Sequence, residues 1–205
     1  MRSIHSRFRP LVVGLLLLAG APALGAERAG NSTVLMNTSP AYQCYQAALR
    51  RDDSYGVEDC DLAIARQGLS RRDLASTYSN RGLLLGRRGE VKKALKDHSK
   101  AIELAPDLAS AWINRANALV RQQELASALA DLDQAVSLES ATRHLAYYNR
   151  ALLHQRLGNL AAARVDAQRA LAEAPEEESY AEFLQTLPAR TPLIPERPPE
   201  GRPQR

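Results

Sequence analysis

The chain has 205 residues, of which 45% are hydrophobic and 24% are charged, and its formal net charge at pH 7 is +4. This length allows one or two domains with a real hydrophobic core and excludes a disulfide-stapled miniprotein. The hydrophobic share argues against a chain that is disordered throughout. Aromatic residues are only 5% of the chain, while alanine and leucine are abundant, which favours helices packed closely through small side chains.

Residues 1–25 have the pattern of a secretory signal peptide. Three arginines in the first ten residues precede an apolar run at 11–19 and a stretch of small residues at 20–26. The apolar run is too short to span a bilayer, which needs about 20 residues. The pattern therefore predicts a signal peptide cut near Gly25 rather than a membrane anchor. We expect a soluble, exported protein, periplasmic or secreted. It is not expected to be a lipoprotein, because Ala21 stands where an acylated cysteine would be.

The positive charge lies at the two ends of the chain. Removing residues 1–25, which hold three arginines and no acidic residue, leaves 24 basic against 23 acidic residues. Removing residues 188–205 as well, with four arginines and two glutamates, leaves 20 against 21. This second segment also holds six of the eleven prolines, which predicts a disordered or polyproline II tail. A nearly neutral core argues against a nucleic-acid partner.

The rest of the chain is helical in character and repeats itself. Residues 26–40 are polar and lack periodicity, which predicts a disordered leader. The segment from residue 41 to 187 contains a recurring five-residue pattern. It consists of an aromatic residue, any residue, asparagine, arginine and a small residue. This pattern begins at Tyr78, Trp112 and Tyr147, at offsets of 34 and 35. The same offsets relate three sets of downstream residues: Ala94, Asp97 and Ala101; Ala128, Asp131 and Ala135; Ala163, Asp166 and Ala170.

Each unit is predicted to be a helical hairpin. Gly89 and Gly158 stand where the first helix ends, and glycine tolerates the left-handed conformation of such a stop. The middle unit has Gln123 there, a weaker stop. Pro106 and Pro175 follow the second helix and prevent its continuation. One hairpin cannot bury its apolar face alone, so the units are expected to stack.

These units resemble the tetratricopeptide repeat, whose pattern is an aromatic residue, a small residue four later, a glycine at the turn, two alanines seven apart and a closing proline. The resemblance implies an all-α, right-handed superhelical stack of three to four hairpins with a C-terminal capping helix. The predicted repeats span about 75–108, 109–142 and 144–177. We also predict a degenerate first unit at 41–68 and the capping helix at 176–187.

One departure from the family pattern recurs in all three repeats, because an arginine replaces the leucine usual after the asparagine. An aspartate follows each arginine at an offset of sixteen, a separation at which residues of a helical hairpin can face each other. We predict three structural ion pairs: Arg81–Asp97, Arg115–Asp131 and Arg150–Asp166. The alternative is that the arginines bind an anionic ligand.

The two cysteines have the same spacing. Cys44 and Cys60 are also separated by an offset of sixteen, and alignment places them at the positions of Gly82 and His98. An exported chain with two cysteines usually oxidises them, so we predict a structural disulfide. The alternatives are a redox pair and a metal site. However, the chain has no Cys-x-x-Cys motif, and its histidines have no ligand spacing. No metal and no cofactor are expected.

The resemblance also implies a binding surface, because the first helices of tetratricopeptide proteins line a concave groove that binds extended peptides or a partner helix. An asparagine in each repeat matches the groove asparagines of the family, and an arginine follows seven residues later on the same side of the helix. The alternative is that these arginines are solvated charges near helix ends. The predicted groove residues are Asn80, Arg87, Asn114, Asn117, Arg121, Tyr148, Asn149 and Arg156.

The sequence gives no reason to predict an enzyme. It has no recognisable pair of acid–base carboxylates, no Gly-x-Ser-x-Gly motif and no phosphate loop. The predicted function is a non-catalytic scaffold or adaptor that holds a partner protein or peptide in the periplasm. One alternative is a chaperone-like assembly factor for envelope or secreted proteins, and a less favoured one is a binder of polyanions.

Overall fold

The computed structural model describes residues 39–50, 55–66 and 68–188. Within these ranges the chain forms nine α-helices and no strand. None of the described helices is long and apolar enough to cross a membrane. The helices are α1 (Pro40–Arg50), α2 (Gly56–Ala65), α3 (Arg71–Arg87), α4 (Val91–Leu104), α5 (Ala109–Arg121), α6 (Leu125–Ser137), α7 (Arg143–Arg156), α8 (Leu160–Glu173) and α9 (Glu178–Thr186).

Three segments predicted from the sequence lie largely outside the described residues. They are the signal peptide at 1–25, the leader at 26–40 except its last two residues, and the tail at 188–205 except its first residue. Residues 51–54 and Gln67 also lie outside the described residues. The structure therefore describes the predicted repeat domain and not its flanking segments.

The helices pair as hairpins that stack in chain order. Each first helix packs against its own second helix and against the first helix of the next hairpin. We call α1–α2 the first unit, and the hairpins α3–α4, α5–α6 and α7–α8 repeats 1, 2 and 3. Helix α9 packs on α8 and closes the stack. This architecture confirms the all-α repeat stack expected from the sequence.

Residues with a left-handed backbone conformation form the turns inside the three repeats. Gly89 and Gly158 have φ values of +83° and +79°, and Gln123 has a φ of +65°. The middle repeat thus makes the same turn without glycine, at a cost of about 1–2 kcal/mol for a residue that carries a Cβ. Helices α4 and α8 each end two residues before a proline, at Pro106 and Pro175. Glycine and proline therefore set the boundaries of repeats 1 and 3, whereas repeat 2 turns at Gln123 and has no closing proline.

Small side chains form the contacts inside each repeat. The two alanines of every second helix are fully buried, and so is the alanine on the first helix of repeats 2 and 3. Small side chains let two helix backbones approach closely, while larger ones fill the space beside them. The alanines at these repeated positions are Ala94, Ala101, Ala116, Ala128, Ala135, Ala151, Ala163 and Ala170, and all of them are fully buried.

A disulfide closes the first unit. Cys44 on α1 and Cys60 on α2 are fully buried and are joined by an S–S bond of 2.11 Å. The two helices are short, with 11 and 10 residues, and thus offer little apolar surface to each other. Closing a loop of about 15 residues contributes about 3 kcal/mol in the chain-entropy model. The covalent link therefore adds to the stability of a hairpin whose two helices are short.

The same place in repeat 1 is filled by a glycine and a histidine. A Cβ at Gly82 would lie 2.6 Å from Cε1 of His98, so the imidazole occupies the space that a larger side chain would need. Repeat 2 solves the same packing problem with Ala116 and Leu132, both buried. Burial, together with the positive charge of Arg115, lowers the pKa of His98 to about 3. His98 is therefore a neutral core residue at neutral pH.

The Gly82–His98 contact leads to a test of packing. We expect Gly82→Ala to lower the free energy of unfolding by about 1–3 kcal/mol, because the added methyl group overpacks the site. The double variant Gly82→Ala/His98→Leu recreates the pair found in repeat 2 and should recover most of that loss. Urea denaturation followed by circular dichroism measures both values. A double variant no more stable than Gly82→Ala alone would contradict this packing scheme.

A second test uses the pH dependence of stability. The unfolded chain protonates His98 near pH 6.5, whereas the folded chain does so only near pH 3. Between these values the unfolded state binds more protons, so stability falls on acidification by about 1.4 kcal/mol per pH unit. We expect the wild type to lose about 2 kcal/mol more than His98→Leu between pH 7.5 and 5. Parallel stability profiles of the two proteins would contradict a neutral buried histidine.

Candidate functional site

The three repeated arginines each bind the aspartate of their own hairpin through two parallel hydrogen bonds. The Nε atoms of Arg81, Arg115 and Arg150 donate to the aspartates over 2.7, 2.8 and 2.7 Å, and their Nη2 atoms donate over 2.8 Å. The aspartate side chains are only 4–8% exposed. Bidentate contacts of this kind fix geometry as well as charge. The structure thus brings together the residues of each predicted ion pair.

The same arginines also join consecutive hairpins. Nη1 of Arg81 donates to Asp61 of α2 over 2.6 Å, and Nη1 of Arg150 donates to Asp133 of α6 over 2.7 Å. In the middle repeat, Nη1 of Arg115 meets the hydroxyl of Ser99 at 3.3 Å. Sequence reasoning missed this second set of partners. Asp61, Ser99 and Asp133 occupy equivalent positions, at the offsets of 38 and 34 that relate the first unit to repeat 1 and repeat 1 to repeat 2, but this spacing does not show which hairpin they face.

Aromatic rings complete the surroundings of these guanidinium groups. The guanidinium carbons lie 5.3, 5.0 and 5.7 Å from the ring centroids of Tyr78, Trp112 and Tyr147, within the range of cation–π attraction. Hydrogen bonds to the paired aspartates raise the pKa of Arg81 and Arg150 against the opposing effect of burial. These arginines have their donors committed to the protein itself, which favours the structural role.

A surface cavity of about 860 Å³ lies between α2 and α4. Arg81 and Asp97 line it together with three lysines of α4. Two of these lysines contact glutamates, Lys93 with Glu90 at 2.5 Å and Lys100 with Glu103 at 2.8 Å. The cavity is therefore of mixed charge rather than cationic. In the part of the chain that the structure describes, no group of three or more histidine, cysteine or acidic residues could hold a metal ion.

The asparagines predicted to line the groove are buried in the stack. Asn80, Asn114 and Asn149 are 2–4% exposed. Asn114 donates to the hydroxyl of Ser79 over 3.1 Å, linking α5 to α3, and Asn149 donates to the carbonyl of Leu145 over 2.8 Å. Their three carboxamide oxygens are buried without a hydrogen-bond partner among the described residues. Each repeat thus holds one unsatisfied acceptor in the same place, while the amide nitrogen of Asn114 joins two first helices and that of Asn149 bonds within α7.

The arginines predicted for the groove are accessible. Arg121 and Arg156 are exposed, and Arg87 is half-buried at the end of α3. Arg121 donates to the carbonyl of Gly86, and Arg156 donates to the side-chain oxygen of Gln123 over 2.5 Å. Both acceptors are neutral and belong to the preceding repeat. Across residues 39–50, 55–66 and 68–188, neither guanidinium group forms an ion pair with a carboxylate. These two charges are therefore not neutralised by the described part of the protein.

The other two predicted groove residues differ in their surroundings. Asn117 is half-buried on α5. Tyr148 packs against the capping helix α9, with its ring centroid 4.6 Å from that of Tyr180 and 5.6 Å from that of Phe183. The hydroxyl of Tyr180 also lies 2.8 Å from Nδ1 of His144 on α7. Part of the Tyr148 ring is thus used to dock α9, which covers this end of the first helices.

The architecture and the repeated contacts agree with a known family. The family profile described as tetratricopeptide repeat matches residues 109–142 and 144–177. These two segments, about a third of the chain, are similar to the tetratricopeptide repeat. They coincide with hairpins α5–α6 and α7–α8, and their bounds are those of the second and third repeats predicted from the sequence. No curated protein sequence matches the chain.

Solved structures of tetratricopeptide proteins share the fold. A thermophilic tetratricopeptide protein of Thermus thermophilus is 22% identical, with a TM-score of 0.61 over 72% of this chain and 82% of that one. The first such domain of Spaghetti (RPAP3), bound to an HSP90 peptide, is 24% identical, with a TM-score of 0.52 over 56% and 90%. The OM64 domain of Arabidopsis is 20% identical, with a TM-score of 0.53 over 57% and 96%. At these identities the likeness shows the fold.

The repeated ion pairs make a prediction about stability. Arg115→Ala leaves the buried carboxylate of Asp131 without its partner, which should cost about 3–5 kcal/mol. Arg72→Ala removes an ion pair with Asp107 whose side chains are 51% and 66% exposed, so it should cost less than about 1 kcal/mol. Chemical denaturation of both variants measures the difference. Equal losses would contradict a structural role for the Arg115–Asp131 pair.

Proposed function

We propose that the chain is a non-catalytic scaffold that holds a partner polypeptide against the first helices of its repeat stack. Tetratricopeptide domains generally mediate interactions between proteins. The observation that carries the proposal is the state of Arg121 and Arg156, whose exposed guanidinium groups bond only to neutral acceptors among the described residues. A carboxylate of a partner would form stronger, charge-assisted bonds with them.

The arrangement of the groove supports an extended partner. Arg121 and Arg156 occupy equivalent positions of α5 and α7, so a chain that crosses the first helices would meet one guanidinium group per repeat. The buried carboxamide oxygens of Asn80, Asn114 and Asn149 follow the same period and lack donors in the described structure. A small separation of the first helices would offer these oxygens to the backbone N–H groups of a bound segment, relieving a cost of about 1–3 kcal/mol for each. Periodic donors and acceptors suit a polypeptide rather than a compact ligand.

The proposed location is the periplasm. Two features support it: the signal-peptide pattern at residues 1–25 and the buried disulfide between Cys44 and Cys60. Disulfides persist in oxidising compartments and are rare in the cytosol.

Polyanion binding has less support. The lysines of α4 are the densest group of basic side chains in the described residues, and they are the natural candidates for such binding. Lys93 and Lys100 contact Glu90 and Glu103, however, so much of their charge is matched locally. Binding of nucleic acid depends on cations that are free to replace the counterions of phosphate groups.

The test of the proposal is the loss of partner capture. A tagged chain carrying Arg121→Glu/Arg156→Glu is compared with the wild type by chemical crosslinking in the native compartment and mass spectrometry. We expect captured partner to fall by about tenfold or more, because two attractive contacts become repulsive. The matched control is Lys92→Glu/Lys96→Glu, with the same charge change on exposed residues of α4.

The control should keep wild-type capture, and circular dichroism should show the same helix content for all three proteins. Unchanged capture by the arginine double variant would contradict the proposed surface. Equal loss in both double variants would indicate that net charge, and not position on the first helices, governs binding.

A further inference from the structure

The first unit lacks the ion pair that closes each of the three repeats. Its two cysteines occupy the positions that Gly82 and His98 hold in repeat 1. One residue earlier on each helix, every repeat has the paired arginine and aspartate, whereas the first unit has Gln43 and Asp59. A carboxamide carries no charge, so it cannot supply the two parallel charge-assisted bonds that a guanidinium group gives to a carboxylate. In the first unit, therefore, a covalent bond joins the two helices at the level where an ion pair joins them in the repeats.

The first unit also buries few large side chains. Helices α1 and α2 have 11 and 10 residues, whereas the helices of the three repeats have 13 to 17. Apart from the cysteines, the largest side chain buried on α1 or α2 is that of Val57, while each repeat buries at least one leucine or isoleucine. Isolated helices shorter than about 12–15 residues are marginal in water. Without the covalent bond, the first unit therefore has little of its own to keep it folded.

The disulfide lies at the contact between the first unit and repeat 1. Cys44 and Cys60 belong to the same buried cluster as Val57 of α2 and as Leu84 and Leu85 of α3. The two leucines are 0% and 6% exposed. Unfolding of the first unit would therefore uncover an apolar edge of repeat 1.

Two ion pairs cross the same contact at the surface. Nη1 of Arg81 lies 2.6 Å from a carboxylate oxygen of Asp61, and Nη2 of Arg88 lies 3.6 Å from one of Glu58. The acidic side chains are 56% and 58% exposed, and exposed ion pairs contribute little to stability because water and salt screen them. These contacts orient the first unit on repeat 1 but do not replace the covalent bond between its helices.

We propose that the first unit is a redox-dependent end cap, which the Cys44–Cys60 disulfide holds folded on repeat 1 and which unfolds when a dithiol reduces that bond. Repeats 1–3 stay folded in the reduced chain, because each has its own ion pair and its own buried leucine or isoleucine. Units of a solenoid contact only their neighbours, so one end can open without the rest. Arg121 and Arg156 lie in repeats 2 and 3, so the inference goes beyond the proposed function and does not depend on it.

The reaction is thiol–disulfide exchange. A thiolate of the dithiol attacks one sulfur of the disulfide, and the other sulfur leaves as a thiolate that takes up a proton. The second thiol of the reductant then breaks the mixed disulfide, so that two electrons and two protons reach the cysteines and the reductant becomes a disulfide. Both cysteines are fully buried, so the first unit must open before the attack. Reduction thus captures an open state and prevents its closure.

The switch fits the route expected from the sequence. Thiols are kept reduced in the cytosol, whereas disulfides form in oxidising compartments. A chain with the signal-peptide pattern of residues 1–25 would pass from the first environment to the second. The first unit would then fold onto repeat 1 only after export, which would complete the stack in the compartment where the scaffold is proposed to act.

Hydrogen exchange of the full chain, followed by mass spectrometry, tests the inference. Exchange is measured at neutral pH before and after incubation with an excess of dithiothreitol. We expect backbone amides of α1 and α2 to exchange about 100-fold faster in the reduced chain, because the open state loses the restraint on a loop of about 15 residues. Amides of α5–α8 should keep their rates. Cys44→Ala/Cys60→Ala, which has the alanine pair of repeat 3 at these positions, should behave like the reduced chain without any reductant.

A third substitution tests why the bond is needed. Adding Gln43→Arg to the cysteine-free variant gives the first unit the arginine of the repeats, at an offset of sixteen from Asp59. It should slow the exchange of α1 and α2 by about tenfold, because the hairpin gains a closing ion pair. The matched control Gln43→Met has a side chain of similar length without charge and should have no such effect. Slower exchange with Gln43→Arg alone supports the inference, and equal effects of the two substitutions would contradict it.

Two outcomes of reduction would overturn the inference. If α1 and α2 keep their exchange rates, the first unit holds two buried thiols and does not need the bond. If the amides of α1–α8 accelerate together, the stack unfolds as one body and the first unit is not a separate cap. Neither outcome bears on partner capture by Arg121 and Arg156, which is measured separately.

Discussion

The stack depends on a buried carboxylate that is held by an arginine in every repeat. The aspartates at positions 97, 131 and 166 are almost fully buried, and a buried carboxylate without a partner is costly. The arginine satisfies it through two bonds and uses a third donor to reach the preceding hairpin. One side chain thus sets both the closure of a hairpin and its position on its neighbour. Where a leucine would contribute contact area alone, the arginine contributes a fixed geometry.

Two sets of arginines in the repeats have different surroundings. Arg81, Arg115 and Arg150 point their donors at the second helices and are committed to the fold. Arg121 and Arg156 lie at the ends of first helices and bond to neutral groups of the described residues, which offer their charges no carboxylate. The nearly neutral repeat domain therefore still has exposed guanidinium groups at the ends of two first helices. Net charge is a poor guide to binding here, because the charges that hold the stack together are paired with one another.

Much of the fold could be predicted because it is periodic. Offsets of 34 and 35 indicate the hairpins, and a single offset of 16 brings together both the arginine–aspartate pairs and the two cysteines. Contacts between hairpins could not be predicted in the same way, since they depend on the angle at which one hairpin packs on the next. The packing angle brings Asp61 into contact with Arg81 and buries the asparagines predicted for the groove. It also determines that Tyr148 packs against the capping helix.

The junction between repeats 1 and 2 differs from the adjacent junctions in the group that accepts a hydrogen bond from Nη1 of the arginine. Its arginine meets the hydroxyl of Ser99 at 3.3 Å, where the adjacent junctions have carboxylates at 2.6 and 2.7 Å. A neutral, longer bond restrains rotation less than a charged one. Among the junctions of the described residues, this is the one at which the repeated arginine forms no ion pair with the preceding hairpin, and the neutral bond from Asn114 to Ser79 crosses it instead.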